Sequence, residues 1–412
     1  MSTEQEPVEG QALAGEEGPE AAAITPAARL AAYVQGGGVL VPVLTAVLAF
    51  FIGGLVILVT GHNPLSTYKA IFNGTGLNWF FPWVSGGERT TAALNLQQTL
   101  IVTTPLILTG LAVAFAFRCG LFNIGGQGQY LVGSYAAVWV GSSWAGMPRV
   151  LHIIVAIVAA IVAGAVWAGI AGLLKATVGA NEVITTIMLN YTAIYIGNYL
   201  FGLGGPLQND AQRSVPVSND IVPAAKLHVF WGDPELQGLH IGLFVALVAL
   251  IVFWVVLNRT TTGYEVRAVG LNPEAARYGG MSVARNYLLV MAVCGFFAGL
   301  AGSMDILGWQ FRIATNDIDI SNIGFYGIAV ALLGRNTAIG TLFSALLFGA
   351  LLSGTSQRNL DPAIFEPELA ANLTTIIQGL IVLFVSADVL VIAILRSGRR
   401  LVPFGRRRET SS

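Results

Sequence analysis

Runs of about 20 apolar residues, each long enough to cross a hydrocarbon core about 30 Å thick, recur along this chain between shorter polar stretches. In order they predict spans near 39–60, 94–117, 129–146, 150–174, 183–203, 241–258, 286–304, 323–334, 338–356 and 372–395. The run near 323–334 is too short to cross unaided and reads as a half-helix or re-entrant segment. The fold class expected is all-α, a polytopic helical membrane protein of about ten transmembrane helices.

The polar stretch from Asn258 to Asn286 interrupts this pattern most strongly, with Arg259, Glu265, Arg267, Glu274, Arg277 and Arg285. Its centre predicts a short, bounded helix. Asn272 suits an N-cap because its side-chain oxygen can accept a backbone N–H that the first turn leaves unpaired. Pro273 suits the first helical position, and Glu274 the positive end of the helix dipole. Gly279 and Gly280 stop the helix, glycine taking the left-handed conformation at little cost; Ser282 can cap the helix that follows. Two turns with small Ala275 and Ala276 on a polar surface read either as a plug for another protein's groove or as an ordinary helical loop.

Composition confirms the class. Of 412 residues 55% are hydrophobic and 10% charged, and 49 are glycine, which lets membrane helices approach closely. Mean hydropathy is +0.70. Cys119 and Cys294 fall in or beside apolar runs and read as free thiols. Charge then sets the orientation. Residues 1–36 form an acidic tail with Glu4, Glu6, Glu9, Glu16, Glu17 and Glu20, expected to be disordered and cytoplasmic rather than a secretory signal. Residues 397–412 form a basic tail that attracts anionic lipid. With both tails inside, 14 of the 21 basic residues are cytoplasmic and 7 external (Lys69, Arg89, Arg149, Arg213, Lys226, Arg312 and Arg358), as the positive-inside rule expects. The membrane body is then 37–396, with a proline-rich external loop at 204–240 and a cytoplasmic loop at 259–285. His228 and His240 share the external loop without a Cys or acidic partner at ligand spacing, so no metal site and no cofactor are expected.

Two segments echo each other: Phe122-Asn123-Ile124-Gly125-Gly126-Gln127-Gly128 and Ser321-Asn322-Ile323-Gly324-Phe325-Tyr326-Gly327 both read N-I-G-x-x-G. In this topology they are entered from opposite sides, the pattern of an inverted repeat, and glycine beside Asn or Gln suits a broken helix lining a cavity. Chance in a glycine-rich chain is the competing explanation. A second polar signal is Glu182 at the start of a span with Asn190 two turns in on roughly the same face, where an amide needs a partner or a polar cavity; Glu182 also fits a plain dipole partner. Gly164, Ala168 and Gly172, and Gly295 and Gly299, repeat at four-residue spacing and predict close helix contacts.

At GLFNIGGQGQYLVG (120–133), ANEVITTIMLNY (180–191) and TTGYEVRAVGLNPEAARYGGM (261–281) the chain resembles permease subunits of ABC importers, in the family serving branched-chain amino acids and ribose. NEVITTIMLNY and GWQF (308–311) are most similar to its nucleoside and simple-sugar branch. The resemblance runs from about residue 40 to 395 and implies a half-pore in a prokaryotic cell membrane. Implied partners are a second permease copy or sister, two cytoplasmic ATP-binding subunits, an external substrate-binding protein and lipid, but no nucleic acid. Arg267, Asn272, Pro273, Glu274, Ala275, Ala276 and Arg277 then make up the coupling segment that meets an ATPase. The chain has no G-x-x-x-x-G-K-[ST], so ATP hydrolysis is expected elsewhere and no catalytic residue here. For a neutral solute with hydroxyls and a flat base, the candidate lining groups are Asn123, Gln127, Asn190, Asn322 and Tyr326: amides pair with hydroxyls and a tyrosine offers a ring face.

Other classes stay open at this point. An ion-coupled carrier needs ionisable groups within its spans, and only Asp388 stands out. An intramembrane enzyme needs a nucleophile–base pair or metal cluster, and none is legible. Branched-chain amino acids remain an alternative cargo within the same family.

Overall fold

A computed structural model describes residues 40–233, 238–356 and 367–386. Both tails, Arg358 and the end of the last expected span (387–395, with Asp388) lie outside the described residues. Each of the ten expected spans falls on a helix: α1 (Leu40–Val59), α3 (Gly86–Arg118), α4 (Gly126–Ser142), α5 (Arg149–Val178), α6 (Glu182–Phe201), α7 (Gly242–Arg259), α10 (Val283–Asp305), α12 (Ile323–Leu333), α13 (Ala338–Gly354) and α14 (Pro367–Ser386). Among the described residues, five of these helices (α1, α3, α5, α7 and α10 with its continuation to Gln310) are long and apolar enough to cross a membrane alone. Four short helices complete the set: α2 (Pro64–Gly74), α8 (Thr261–Leu271), α9 (Pro273–Tyr278) and α11 (Thr315–Ile320). The chain is a polytopic helical membrane protein. Its only described sheet is a two-stranded antiparallel ribbon, β1 (Val229–Trp231) with β2 (Leu239–His240).

The 33-residue α3 is the central post. From Thr99 to Ala116 it is almost wholly buried, packed by α7, α10, α12 and α13. Lipid tails are as apolar as leucine, so such packing depends on close approach and not on expelling water. The predicted glycine faces supply it. A Cβ placed on Gly295 would lie 2.0 Å from the Gly164 carbonyl, and one on Gly172 would lie 2.9 Å from the Met291 side chain. Helices α5 and α10 therefore lock along the stripes that the four-residue spacing predicted. Both cysteines are buried free thiols.

Polar loops gather at two ends. At one, Arg118 donates to the Asn336 carbonyl from Nε (2.9 Å) and Nη2 (2.7 Å). Lys175 pairs with Glu182 at 2.8 Å, and a Cβ on Gly270 would press on the Arg118 carbonyl. Residues 259–285 belong to this end. At the other end, the 204–240 loop is sewn down by Val222 to Gly141 (2.9 Å), Ile221 to Phe311 (2.9 Å) and Leu227 to Leu307 (2.8 Å).

Candidate functional site: a junction of two broken helices

Helix α3 ends at Arg118, and Leu121–Ile124 continue as irregular backbone before α4 begins at Gly126. On the other side, α10 runs into a π-helical turn at Ile306–Gln310, α11 follows, and α12 begins at Ile323. α12 has 11 residues. At 1.5 Å per residue that is about 16 Å, roughly half a hydrocarbon core. Its first turn therefore lies at mid-membrane depth, where it meets the first turn of α4. A Cβ on Gly324 would lie 2.2 Å from the Gln127 backbone nitrogen, and one on Gly126 would lie 3.2 Å from the Gly324 carbonyl oxygen. Only glycine permits this approach. The two N-I-G-x-x-G segments are thus in direct contact, N-terminus to N-terminus.

A helix start leaves its first N–H groups unpaired, and a bilayer offers no water to satisfy them. Three amide side chains do so here. Gly324 N–H donates to Gln127 Oε1 (2.8 Å), while Gln127 Nε2 donates to the Ser321 carbonyl (2.8 Å). Gly128 N–H donates to Asn190 Oδ1 (2.8 Å), and Asn190 Nδ2 donates to the Ile124 carbonyl (2.9 Å). Gly125 N–H donates to Asn123 Oδ1 (2.9 Å), and Asn123 exchanges amide hydrogen bonds with Gln129 at 3.0 and 3.1 Å. Asn123, Gln127 and Asn190 are 0%, 1% and 2% exposed.

The five sequence-predicted lining residues therefore divide. Asn123, Gln127 and Asn190 come together and spend their polar atoms on the two breaks. Asn322 and Tyr326 flank the same junction with more surface: Asn322 is exposed, donating to the Ile320 carbonyl (3.1 Å), and Tyr326 is half-buried. Gln129 and Ser321 complete the junction without having been singled out, although Gln129 lies only two residues beyond Gln127.

Sequence reasoning also missed a buried carboxylate. Asp305, on the last turn of α10, accepts from the Tyr130 hydroxyl (2.6 Å) and from Trp309 Nε1 (3.0 Å). The Asp305–Trp309 spacing of four was the available signal, and the pair holds the π-turn that carries GWQF. His240 is buried beside this turn. Its Nδ1 accepts from Gly242 N–H (3.1 Å), and burial pushes its pKa down to about 4, keeping the ring neutral. Among the described residues no group of three His, Cys, Asp or Glu could hold a metal.

At the Arg118 end, α9 starts and stops as its residues predict. Asn272 Oδ1 accepts from Glu274 N–H (3.0 Å) and Ala275 N–H (3.1 Å), Pro273 fills the first position, and Arg277 reaches back to Glu274 at 3.4 Å. Gly280 takes the left-handed turn at φ 81°, while Gly279 remains right-handed at φ -75°. Ala276 packs inward and Ala275 outward. Arg267 sits one helix earlier, donating to Asn258 Oδ1 at 3.3 Å. The sequence did not anticipate α8, nor that Leu271 and Tyr278, 88% and 93% exposed, would flank α9.

The family described as branched-chain amino acid transport system / permease component matches residues 95–386. The guanosine ABC transporter permease protein NupP of Bacillus subtilis is 37% identical over 357 residues, covering 85% of this chain and 93% of the relative. The nucleoside ABC transporter permease protein NupB of Lactococcus lactis is 32% identical, covering 88% and 94%. The glucose ABC transporter permease protein TsgB13 of Haloferax volcanii is 36% identical, covering 83% and 86%.

Proposed function

We propose, for a chain that belongs to the branched-chain amino acid transport system / permease component family and is a multi-pass permease subunit of an ABC importer, that the solute it passes is a nucleoside. Membership in this family removes the ion-coupled carrier as a rival. The observation that carries the substrate reading is the neutrality of the junction. Two helix N-termini meet there, and each exposed dipole is met by an amide and not by a charge. An amino acid zwitterion would ask for charged partners, whereas ribose hydroxyls and a base ask for amides and a ring face. Relatives serving guanosine and nucleosides support the same choice. The relative serving glucose supports a second reading, a simple sugar.

In this reading the path runs past the junction. Asn322 and Tyr326 meet the solute, while Asn123, Gln127 and Asn190 shape the path by holding both breaks open. Two such chains, or this chain and a sister permease, enclose the pore. The Arg118 end faces the cytoplasm, both termini with it, and ATP is hydrolysed on a separate subunit. That subunit receives α9, through Asn272, Pro273, Glu274, Ala275, Ala276 and Arg277, with Arg267 behind; Leu271 and Tyr278 are the apolar grips. An external binding protein delivers the solute at the 204–240 side.

The test is uptake by the complex purified through this chain and reconstituted with its ATPase and binding protein. Radiolabelled guanosine should enter with ATP, and unlabelled nucleosides should compete while leucine should not. Entry of glucose alone favours the sugar reading; entry of leucine alone ends both. Orientation is checked by single cysteines: one at Arg213 should react with an impermeant reagent from outside and one at Tyr264 should not.

A further inference from the structure

Helix α6 turns Thr186, Asn190, Ala193, Gly197 and Phe201 inward. Its opposite face changes character halfway. The first half shows Ile184 and Met188, and the second shows Tyr191, Tyr195 and Tyr199, which are 56%, 72% and 72% exposed. Successive tyrosines are four residues apart, so their rings climb one helix face in steps of about 6 Å. Other bare faces in this molecule are built differently. The exposed side of α5 is Val150, Leu151, Ile154, Val158, Val162 and Val166, an aliphatic surface suited to lipid tails.

A lipid-facing tyrosine belongs at a headgroup interface, where its hydroxyl finds water. Tyr191 is the tenth of twenty residues in α6, at mid-depth. No hydrogen bond joins the hydroxyl of Tyr191, Tyr195 or Tyr199 to a described residue. Beside them Asn198 donates to Asp319 (3.0 Å), while its own Oδ1 is buried without a partner. The tyrosine hydroxyls call for a polar occupant.

The face borders α11, the helix that precedes the junction, along one edge. Asn198, on the flank of α6 beside the tyrosines, donates to exposed Asp319 of α11. α11 in turn leads into exposed Asn322 and Phe325. A second copy of the chain is the less suitable occupant. Close helix pairing in membranes uses small residues, and on this face only Thr192 is small: Ile184, Met188 and three tyrosines surround it and keep a neighbouring backbone away.

Resting on the nucleoside reading, we infer that Tyr199, Tyr195 and Tyr191 form a stacking ladder along which the flat base of the solute moves toward the Asn322–Tyr326 side of the junction. Each ring offers a sequence of equivalent faces, and base stacking on aromatic rings tolerates every base. The tyrosine hydroxyls pair with ribose. Equivalent, modest contacts suit passage better than one tight site.

The experiment uses the reconstituted complex and [3H]guanosine. Tyr195→Leu should slow uptake about tenfold, the cost of losing a base–aromatic stack, whereas Tyr195→Phe should stay within about twofold because the ring remains. Membrane level and thermal unfolding of both variants should match the parent. In a background lacking Cys119 and Cys294, Tyr195→Cys should react with a water-borne methanethiosulfonate, and guanosine should slow the reaction. If that background does not fold, the Leu and Phe comparison alone decides. Labelling of Tyr195→Cys only by a lipid-soluble maleimide would make the face a lipid surface and overturn the ladder; so would a spontaneous disulfide between two copies. Unchanged guanosine uptake by Tyr195→Leu, in a complex that transports guanosine, overturns the ladder alone. A parent complex that carries glucose and not guanosine overturns the nucleoside reading instead.

Discussion

Asn190 and Asn272 make the same hydrogen bond in two solvents. Each presents Oδ1 to a backbone N–H at a helix start, at 2.8 Å for Gly128 and 3.0 Å for Glu274. Asn190 and Gly128 are both buried, and a bond lost between them has no substitute. Around Asn272 the helix stands in water, which replaces a cap at once. An exposed cap contributes about 1 kcal/mol, whereas an orphaned donor in hydrocarbon costs several. One motif thus serves as a structural necessity inside the bilayer and as a shaping detail outside it.

The sharpest way to break this contrast is at Gln127. Gln127→Leu leaves Gly324 N–H and the Ser321 carbonyl unpaired, which should cost roughly 2–4 kcal/mol and lower the thermal unfolding midpoint in detergent by about 5–10 °C. A shift of under two degrees would show that water already reaches the junction. Gly324→Ala comes next, because its Cβ would lie 2.2 Å from the Gln127 nitrogen. Forcing the two breaks apart should abolish uptake, and a fluorescence size-exclusion trace of the variant should show loss of folded protein as well. At the watery end the order of effects inverts. Leu271→Ala with Tyr278→Ala should cut solute-stimulated ATPase activity about tenfold, on the scale of interface anchors, with unfolding unchanged. Ala275→Trp should act in the same direction by filling the ATPase groove; normal transport by that variant would remove α9 from the interface. The smallest effect is expected at Asn272→Ala, a loss of about 1 kcal/mol of local helix. Uptake should fall about two- to fivefold, and hydrogen exchange should quicken over 273–278 only.

Much of the fold was legible because bilayer thickness and periodicity act locally. Every predicted span found a helix, and α9 kept its predicted bounds because Asn272, Pro273 and Gly280 each state a conformation by themselves. The N-I-G-x-x-G echo pointed to the two breaks, since glycine beside an amide has few other uses at that depth. What the amides do there was not legible. A sequence shows that Asn190 needs a partner, but not that the partner is the backbone of Ile124 and Gly128. Asp305 escaped partly for the same reason: Trp309 stands one turn ahead in the same run of helix, but Tyr130 arrives from α4. Helix α2 was hidden by the rule that served elsewhere, since it spans nothing and its 11 residues leave no transmembrane signature.

The shortness of α12 also bears on the order in which the protein is built. An 11-residue helix cannot partition into the bilayer as a unit, and its leading Gly324 N–H is satisfied by a side chain made 197 residues earlier. During synthesis this segment must wait as part of a hairpin with α13, joined by the tight Gly334–Thr337 turn. Release into lipid then requires that α3 and α4 already stand in place to receive it. The N-terminal half thus supplies the surface on which the C-terminal half completes its hydrogen bonds.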